Sequence, residues 1–260
     1  MLENKSILIT GSSGFAGTLT KEVLKNEQAR ISCMIRDETN EKSADFFFPD
    51  LTDVNFPEKL RIKDIRFSAI FHLAEIVSHK NILSDREVDI VINNHIFFIK
   101  LAAKNSNCVV YPLTATMLDN DNSCEKRQYC QIKKRVSSFF IGKKKYKEVY
   151  FPVIHPFIDS NGNLKKFINF QGRIPFFNLF SDFDNVKMPY MDKRKFSQFV
   201  VDTVSSGVVS QGCWYKKESS VASLCHKNNR KNLYFLSKFL KLIISFLLPQ
   251  SVIIRGRKKC

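Results

Sequence analysis

Near its N-terminus the chain reads Thr10-Gly11-Ser12-Ser13-Gly14-Phe15-Ala16-Gly17, with glycines at spacings of three and three. An apolar run at 7–9 precedes this stretch and predicts a strand, and a segment with helical character follows at 18–25. Glycine turns tightly at positive φ, and without a Cβ it lets backbone amides approach a diphosphate. The helix would direct its N-terminal amides and positive dipole end at that anion. Although glycine clusters also occur in bare turns, the order of strand, turn and helix predicts a nucleotide-cofactor site.

Strand-like and helix-length segments alternate beyond this turn. Strands are predicted at 31–35, 69–73, 108–113 and 149–154, and helices at 18–25, 89–104 and 129–140. Such alternation implies right-handed βαβ crossovers and a parallel sheet covered on both faces. The sequence therefore predicts an α/β fold, a Rossmann-like doubly wound parallel sheet with its ligand at the carboxyl ends of the strands.

The alternation weakens after residue 154, where prolines and glycines punctuate a less regular region with helices near 196–204 and 233–248. We therefore predict a nucleotide-binding Rossmann domain at 1–150. Residues 151–260 are expected to supply the last sheet strand, a small C-terminal substrate-binding lobe and the C-terminal helix.

Composition limits the classes of function. The chain has 41 basic and 25 acidic residues, for a net charge of +16. Solvated basic faces explain such an excess, as does attraction to an acidic ligand or to anionic lipid headgroups. No aromatic-basic signature of an RNA-binding module occurs, so we expect no nucleic-acid partner. The seven cysteines include no Cys-x-x-Cys pair, which argues against a disulfide framework and against a metal site.

The segment 233–248 is strongly apolar, but it is short and is interrupted by Lys238 and Lys241. A membrane-spanning helix needs about 20 apolar residues, so this segment is not expected to span. We favour a terminal helix packed on the fold, and peripheral membrane contact stays open because the basic tail 255–259 follows. The N-terminus shows no signal peptide, which predicts a cytoplasmic location.

Tyr129 and Lys133 form a candidate pair for proton transfer. At positions i and i+4 of a predicted helix they share a face. A nearby cation favours phenolate and should lower the tyrosine pKa from about 10, so that it exchanges protons near neutral pH. The pair is more specific because of its order in the chain, since Thr114 stands at the end of the strand predicted at 108–113, fifteen residues before Tyr129.

These motifs together resemble an extended short-chain dehydrogenase/reductase, of the NAD(P)-dependent epimerase/dehydratase family whose usual substrates are nucleotide sugars. The resemblance covers about residues 5 to 205. The matching stretches, in chain order, are Thr10 to Gly17, Asp50-Leu51-Thr52, Phe71-His72-Leu73-Ala74, Thr114-Ala115-Thr116, Tyr129 with Lys133, and Met188 to Asp192.

The resemblance assigns roles to these positions. It implies that Tyr129 is the general acid/base, that Lys133 holds the nicotinamide ribose and depresses the tyrosine pKa, and that Thr114 bonds the substrate oxygen. It implies a cofactor site formed by Gly11, Ser13, Gly14, Phe15, Ala16, Gly17, Arg36, Asp50, Leu51, Leu73, Ala74, Tyr129 and Lys133.

Cofactor choice depends on the end of the second strand, Met34-Ile35-Arg36-Asp37. An acidic residue at this place selects NAD by accepting the ribose hydroxyls, whereas Arg36 lies where a 2′-phosphate would sit. NADP is therefore the preferred cofactor, and NAD stays open because Asp37 could take the acidic role.

Three residues are candidates for substrate contact. Glu75 follows the strand predicted at 69–73 and would lie at the carboxyl edge of the sheet, with a capping or solvated role as the alternative. Lys165 and Arg173 lie in the presumed lobe and could grip a diphosphate, although each could equally be solvated.

Where the family's dehydratases carry an acidic pair, this chain has Ala115 and Thr116, so 4,6-dehydration is not expected. The interpretation is an NAD(P)-dependent reductase or epimerase of a nucleotide sugar, serving surface polysaccharide (O-antigen or capsule) biosynthesis. The alternatives are a catalytically quiet dinucleotide-binding sensor or scaffold, and a reductase of a non-sugar carbonyl. A homodimer is left open.

Overall fold

The structure is a computed structural model that describes residues 2–34, 46–76, 83–114, 128–154, 187–207 and 217–220. In chain order its elements are β1 (Ser6–Thr10), α1 (Phe15–Asn26), β2 (Arg30–Cys33), β3 (Phe46–Phe47), α2 (Phe56–Lys59), β4 (Arg61–Ile62), β5 (Ala69–His72), α3 (Asp85–Lys104), β6 (Val109–Val110), β7 (Leu113–Thr114), α4 (Gln128–Phe140), a 3-10 turn (Lys144–Tyr146), β8 (Val149–Tyr150), β9 (Val153–Ile154), β10 (Lys187–Tyr190), α5 (Lys193–Ser206) and β11 (Lys217–Ser220).

The central sheet has the order β2-β1-β5-β6-β8. Its neighbouring strands are all parallel. The chain leaves β1 in one direction to form β2, and later returns to form β5 on the other side of β1. This reversal of strand order is the place where open α/β sheets bind ligands. The predicted Rossmann-like parallel sheet with flanking helices is confirmed.

Two of the predicted strands are each divided by a proline. The strand predicted at 108–113 forms β6 and β7 on either side of Pro112, and the one predicted at 149–154 forms β8 and β9 around Pro152. Proline has no N–H to give to a ladder. The two divided strands still run side by side, because Leu113 pairs with Val153 in the same parallel sense.

The spacing of the apolar residues determines which face of a helix is buried. The buried residues of α3 include Val88, Val91, Ile92 and His95. These spacings of three and four residues place one face of the helix on the sheet. Helix α3 also packs against α4. It begins four residues before the predicted start, because Ser84 and Glu87 form a capping box.

The hydrophobic core lies between the sheet and these helices. It includes Leu8, Ile70 and Val109 of the strands, together with Phe98 of α3 and Val136 of α4. Burial of these side chains is the main source of stability for the sheet and its crossover helices.

The chain divides into two compact units, Met1–Ile154 with Arg194–Tyr215 and His155–Lys193 with Lys216–Cys260. In the second unit, β10 and β11 form an antiparallel pair. The division of functions at residue 150 stays a prediction. None of the helices in the described ranges is long and apolar enough to cross a membrane. The segment 233–248 and the tail 255–259 lie outside those ranges.

Candidate active site

The glycine turn between β1 and α1 is packed so closely that two of its glycines admit no side chain. Gly11 has φ +66°, and a Cβ there would lie 2.5 Å from the Ala74 nitrogen. A Cβ on Gly17 would lie 2.2 Å from the Gly11 oxygen. Gly14 has more room, since its Cβ would approach the same oxygen only to 3.3 Å. Gly11 and Gly17 therefore build the turn, whereas Gly14 faces outward.

Helix α1 presents its N-terminus at this turn. Gly14 is the N-cap and has no side chain with which to bond the first helical amides. The first turn of α1, which is described throughout, has no acidic residue. Ser13 and Gly14 are exposed, and so is Phe15. Amides at a helix N-terminus with an open approach suit an anion such as a diphosphate.

The ends of β1 and β5 are bonded to each other beside the turn. Thr10 and His72 are register partners, and Thr10 Oγ1 lies 2.7 Å from His72 Nδ1. The Ala74 amide donates to Thr10 Oγ1 at 3.1 Å. Leu73 and Ala74, two predicted cofactor residues, therefore lie directly against the glycine turn.

Lys133 is almost completely buried, with 1% of its surface exposed. Its Nζ donates to Glu75 Oε1 and, at 2.6 Å, to the carbonyl oxygen of Pro112. The same nitrogen lies 3.7 Å from the centroid of the Tyr111 ring and 5.8 Å from that of Tyr129. The predicted i, i+4 pair thus shares a face of α4, and Lys133 reaches across to the junction of β6 and β7.

Glu75 is the acidic partner of this lysine. Its side chain is 10% exposed, so the solvated role considered for it is wrong. Burial raises the pKa of the Glu75 carboxyl, and the positive charge of Lys133 opposes that rise. Burial likewise lowers the pKa of the Lys133 ammonium, against the raising effect of Glu75. The two groups therefore stabilise each other's charged forms.

A pair of buried histidines extends this network. His72 Nε2 lies 2.8 Å from His95 Nδ1, and His95 Nε2 lies 4.0 Å from Glu75 Oε2. Both rings are fully buried. Burial holds the pKa values of His72 and His95 well below the ordinary range, and the charge of Lys133 adds to this effect. Both rings are neutral near pH 7.

The expected lowering of the Tyr129 pKa is wrong for this structure. Burial raises the pKa of the Tyr129 phenol above its ordinary value, and the Glu75 carboxylate and Cys130 add to the rise. Lys133 cannot reverse the effect, because Glu75 balances its charge at contact distance. Tyr129 therefore carries its proton at neutral pH.

Asp50 and Leu51 have local structural partners. Asp50 Oδ1 accepts from the amide of Thr52 at 2.8 Å and from its hydroxyl at 2.7 Å. The side chain of Leu51 belongs to the hydrophobic core. Asn94 of α3 donates to the carbonyl oxygen of Leu51 at 2.9 Å and fixes this loop to the helix. Their predicted contact with adenine stays a prediction.

Thr114 ends β7, where its backbone pairs with Ile154, and α4 packs against this strand. The structure describes no more of Thr114 than its backbone. Arg36, Lys165 and Arg173 lie outside the described residues, as do Ala115 and Thr116. Their roles remain predictions. Across the ranges that the structure describes, no group of three or more His, Cys, Asp or Glu residues could hold a metal ion.

Sequence reasoning did not identify His95 or Tyr111 as parts of this site. His95 Nε2 is buried without a hydrogen-bond partner among the described residues, and the buried Tyr111 hydroxyl, which makes no regular hydrogen bond to them, is close enough to Glu75 to lower the pKa of that carboxyl. His95 lies three residues after Ile92 and three before Phe98, on the buried face of α3. A histidine in such an apolar stripe is a usable signal, whereas Tyr111 has no comparable one.

A known protein family matches the part of the chain that contains the glycine turn and Lys133. Residues 7–134 match the model of the NAD dependent epimerase/dehydratase family. The match begins within β1 and ends one residue after Lys133, so it includes the glycine turn and the Tyr129 and Lys133 pair. The resemblance that the motifs indicated is confirmed. No curated protein sequence matches the chain significantly.

Solved structures share the fold at low sequence identity. The NADPH complex of RMD from Pseudomonas aeruginosa is 15% identical with a TM-score of 0.58, over 85% of this chain and 79% of that one. The NADP complex of dTDP-4-dehydrorhamnose reductase from Bacillus anthracis is 14% identical with a TM-score of 0.56, over 92% and 82%. The NAD+ complex of WbmH from Bordetella bronchiseptica is 18% identical with a TM-score of 0.54, over 85% and 79%.

Proposed function

We propose that this protein is an NAD(P)-dependent reductase or epimerase that acts on a nucleotide sugar in surface polysaccharide biosynthesis. The observation that carries the proposal is the position of Lys133 beneath Tyr129, at the sheet edge where the glycine turn lies. The family match supports the dinucleotide chemistry. The similarity to dTDP-4-dehydrorhamnose reductase supports the substrate class.

The turn fits a dinucleotide. The backbone around Gly11 and Gly17 leaves no room for a Cβ, and the N-terminus of α1 is open to an anion. We assign the diphosphate to the amides of residues 13–17 and the nicotinamide ribose to Lys133. Arg36 would select NADP through its 2′-phosphate. The bound cofactor would supply or accept the reducing equivalents of the reaction.

Tyr129 would exchange the proton. Its raised pKa keeps the phenol protonated near pH 7, which is the state required to donate to a carbonyl oxygen. This supports reduction of a carbonyl as the direction for which the site is prepared. Thr114 would hold the same substrate oxygen through its hydroxyl. Lys165 and Arg173 would bind the substrate diphosphate.

A dinucleotide-binding sensor without catalysis is the second candidate, and a reductase of a non-sugar carbonyl is the third. The retention of Thr114, Tyr129 and Lys133 in one chain argues against the sensor, since a sensor needs no proton donor. The third candidate shares the proposed chemistry and differs only in the substrate.

The test is turnover of a panel of nucleotide sugars with NADPH, followed by cofactor absorbance and by mass spectrometry of the sugar. Tyr129→Phe removes one hydroxyl and keeps the ring, so we expect a loss of about 10² to 10⁴ in rate. Thr114→Ala should also be impaired, whereas Thr114→Ser should retain activity because only the hydroxyl is needed.

Tyr146→Phe is the matched control, since that ring packs 5.0 Å from Phe140 near the start of β8. It should leave the rate unchanged. A Tyr129→Phe variant as active as the wild type would rule out the proton-transfer role. Cofactor binding without turnover of any substrate would favour the sensor.

A further inference from the structure

We propose that Glu75 is a positioning residue of this site: it pairs with Lys133 and, backed by the histidines His95 and His72, fixes the lysine ammonium in the place where it meets the cofactor. The inference rests on the proposed function, because it concerns the lysine assigned there to the nicotinamide ribose.

The contacts of Lys133 leave its position well determined. Its Nζ has two oxygen acceptors, one from Glu75 after β5 and one from Pro112 between β6 and β7. The Tyr111 ring covers the ammonium at 3.7 Å. Glu75 follows β5, whereas Pro112 and Tyr111 both follow β6, so the lysine is held from the ends of two neighbouring strands. Of these partners, Glu75 alone carries a full charge.

The histidine pair connects Glu75 to the glycine turn. Because Glu75 is an acceptor when ionised, His95 Nε2, 4.0 Å away, should carry a proton. His95 Nδ1 then accepts from His72 Nε2, and His72 Nδ1 accepts from the Thr10 hydroxyl. The Thr10 oxygen meanwhile accepts from the Ala74 amide. The Ala74 amide, the Thr10 hydroxyl and His72 Nε2 each donate to an acceptor in this series, whereas His95 Nε2 faces Glu75 Oε2 at a distance longer than a hydrogen bond.

Charge balance is the second task of Glu75. Burial lowers the pKa of Lys133, and the adjacent carboxylate raises it again. Among the described residues, the other titratable groups that face the pair are Tyr129 on α4, Tyr111 after β6, and the two histidines. The tyrosines are protonated and the histidines neutral between pH 6 and 9, because burial raises the former pKa values and lowers the latter. Loss of Glu75 should therefore act mainly by lowering the pKa of Lys133, so that the lysine loses its proton at a lower pH.

The experiment measures NADPH affinity by fluorescence titration across pH 6 to 9 in wild type, Glu75→Gln, Glu75→Asp and Lys133→Met. We expect Glu75→Gln to bind nearly as well as wild type at the acid end and several-fold more weakly at the alkaline end, because the lysine ammonium loses the carboxylate that favours its charged form. Glu75→Asp keeps the charge and should follow the wild-type pH profile. Lys133→Met should bind weakly at every pH.

Asp89→Asn is the matched control, because Asp89 pairs with Arg135 at 2.8 Å on the exposed surface. It removes the same charge and should leave the profile unchanged. If Glu75→Gln does not fold, the double variant Glu75→Gln/Lys133→Met, which buries no charge, should fold and bind without pH dependence. A Glu75→Gln profile identical to wild type would overturn the positioning role alone. A wild type that binds neither NADPH nor NADH would overturn the proposed function.

Discussion

At the scale of single residues, the buried pair of Glu75 and Lys133 dominates the energetics of the site. A buried ion pair gains little over an apolar replacement, but removal of one partner leaves the other charge uncompensated and costs about 3–5 kcal/mol. The pair is therefore better explained by what it does for the site than by what it adds to stability. Its neighbours His72 and His95 make the free energy of unfolding depend on pH.

We predict that the free energy of unfolding decreases as the pH falls below about 6.5. His72 and His95 have folded-state pKa values well below the unfolded value. Acidification therefore protonates the two histidines in the unfolded chain before it protonates them in the folded protein. Their stabilisation is complete above pH 6.5 and is lost on acidification, at about 1.4 kcal/mol per pH unit for each ring. Glu75 has a raised pKa and acts in the opposite sense below its folded value.

His95→Gln tests this prediction by urea unfolding at several pH values. Glutamine can accept from His72 but does not titrate, so the slope between pH 6 and 5 should decrease by about 1.4 kcal/mol per unit. Above pH 7 the variant should show no change of slope. An unaltered acid slope would mean that His95 is not the buried neutral ring described here.

The sequence predicted the residues of the site better than their interactions. Tyr129 and Lys133 follow from i, i+4 spacing, and α4 places them on one face as expected. The direction of the Tyr129 pKa did not follow, because it depends first on the burial of the phenol and then on Glu75, which lies 58 positions before Lys133 in the chain. Spacing along one helix carries no information about burial by the rest of the fold or about a charge from a distant part of the chain.

At the scale of elements, the three glycines of the turn differ in how much space their surroundings leave for a side chain. We predict that Gly17→Ala destabilises the protein by about 2 kcal/mol or more, because its Cβ would lie 2.2 Å from the Gly11 oxygen and the turn must move. Gly14→Ala, in the same turn, should cost less than half as much. Urea unfolding of the two variants compares them directly, and equal losses would contradict the assigned packing.

Element ends were predictable where a single residue type determines them. Ser84 and Glu87 are the signature of a capping box, so the start of α3 at Asp85 was available from the sequence. Pro112 and Pro152 likewise mark the divisions between β6 and β7 and between β8 and β9. The short antiparallel pair of β3 and β4 had no such signal, because Phe46–Phe47 and Arg61–Ile62 are too brief to show a period.

At the scale of the whole molecule, the alternation of strands and helices was sufficient to predict the sheet. Right-handed crossovers between parallel strands leave few arrangements, and the observed order β2-β1-β5-β6-β8 is one that places the glycine turn at the reversal of strand order. The region beyond residue 154 was less predictable, because its prolines and glycines interrupt the periodicity.

Binding of a nicotinamide dinucleotide at the glycine turn is measured directly by calorimetric titration with NADPH and NADH. Wild type should bind NADPH more tightly than NADH. Gly14→Val should bind neither and remain folded, since Gly14 has φ −71° and ψ 167°, which a valine can adopt, and its side chain would stand in the anion site. Gly142→Ala, strained at φ +81° but with open space around its Cβ, should keep the wild-type affinity and serves as the control for lost stability. A wild type that binds neither dinucleotide, or a folded Gly14→Val variant with unchanged affinity, would show that the glycine turn is not a dinucleotide site.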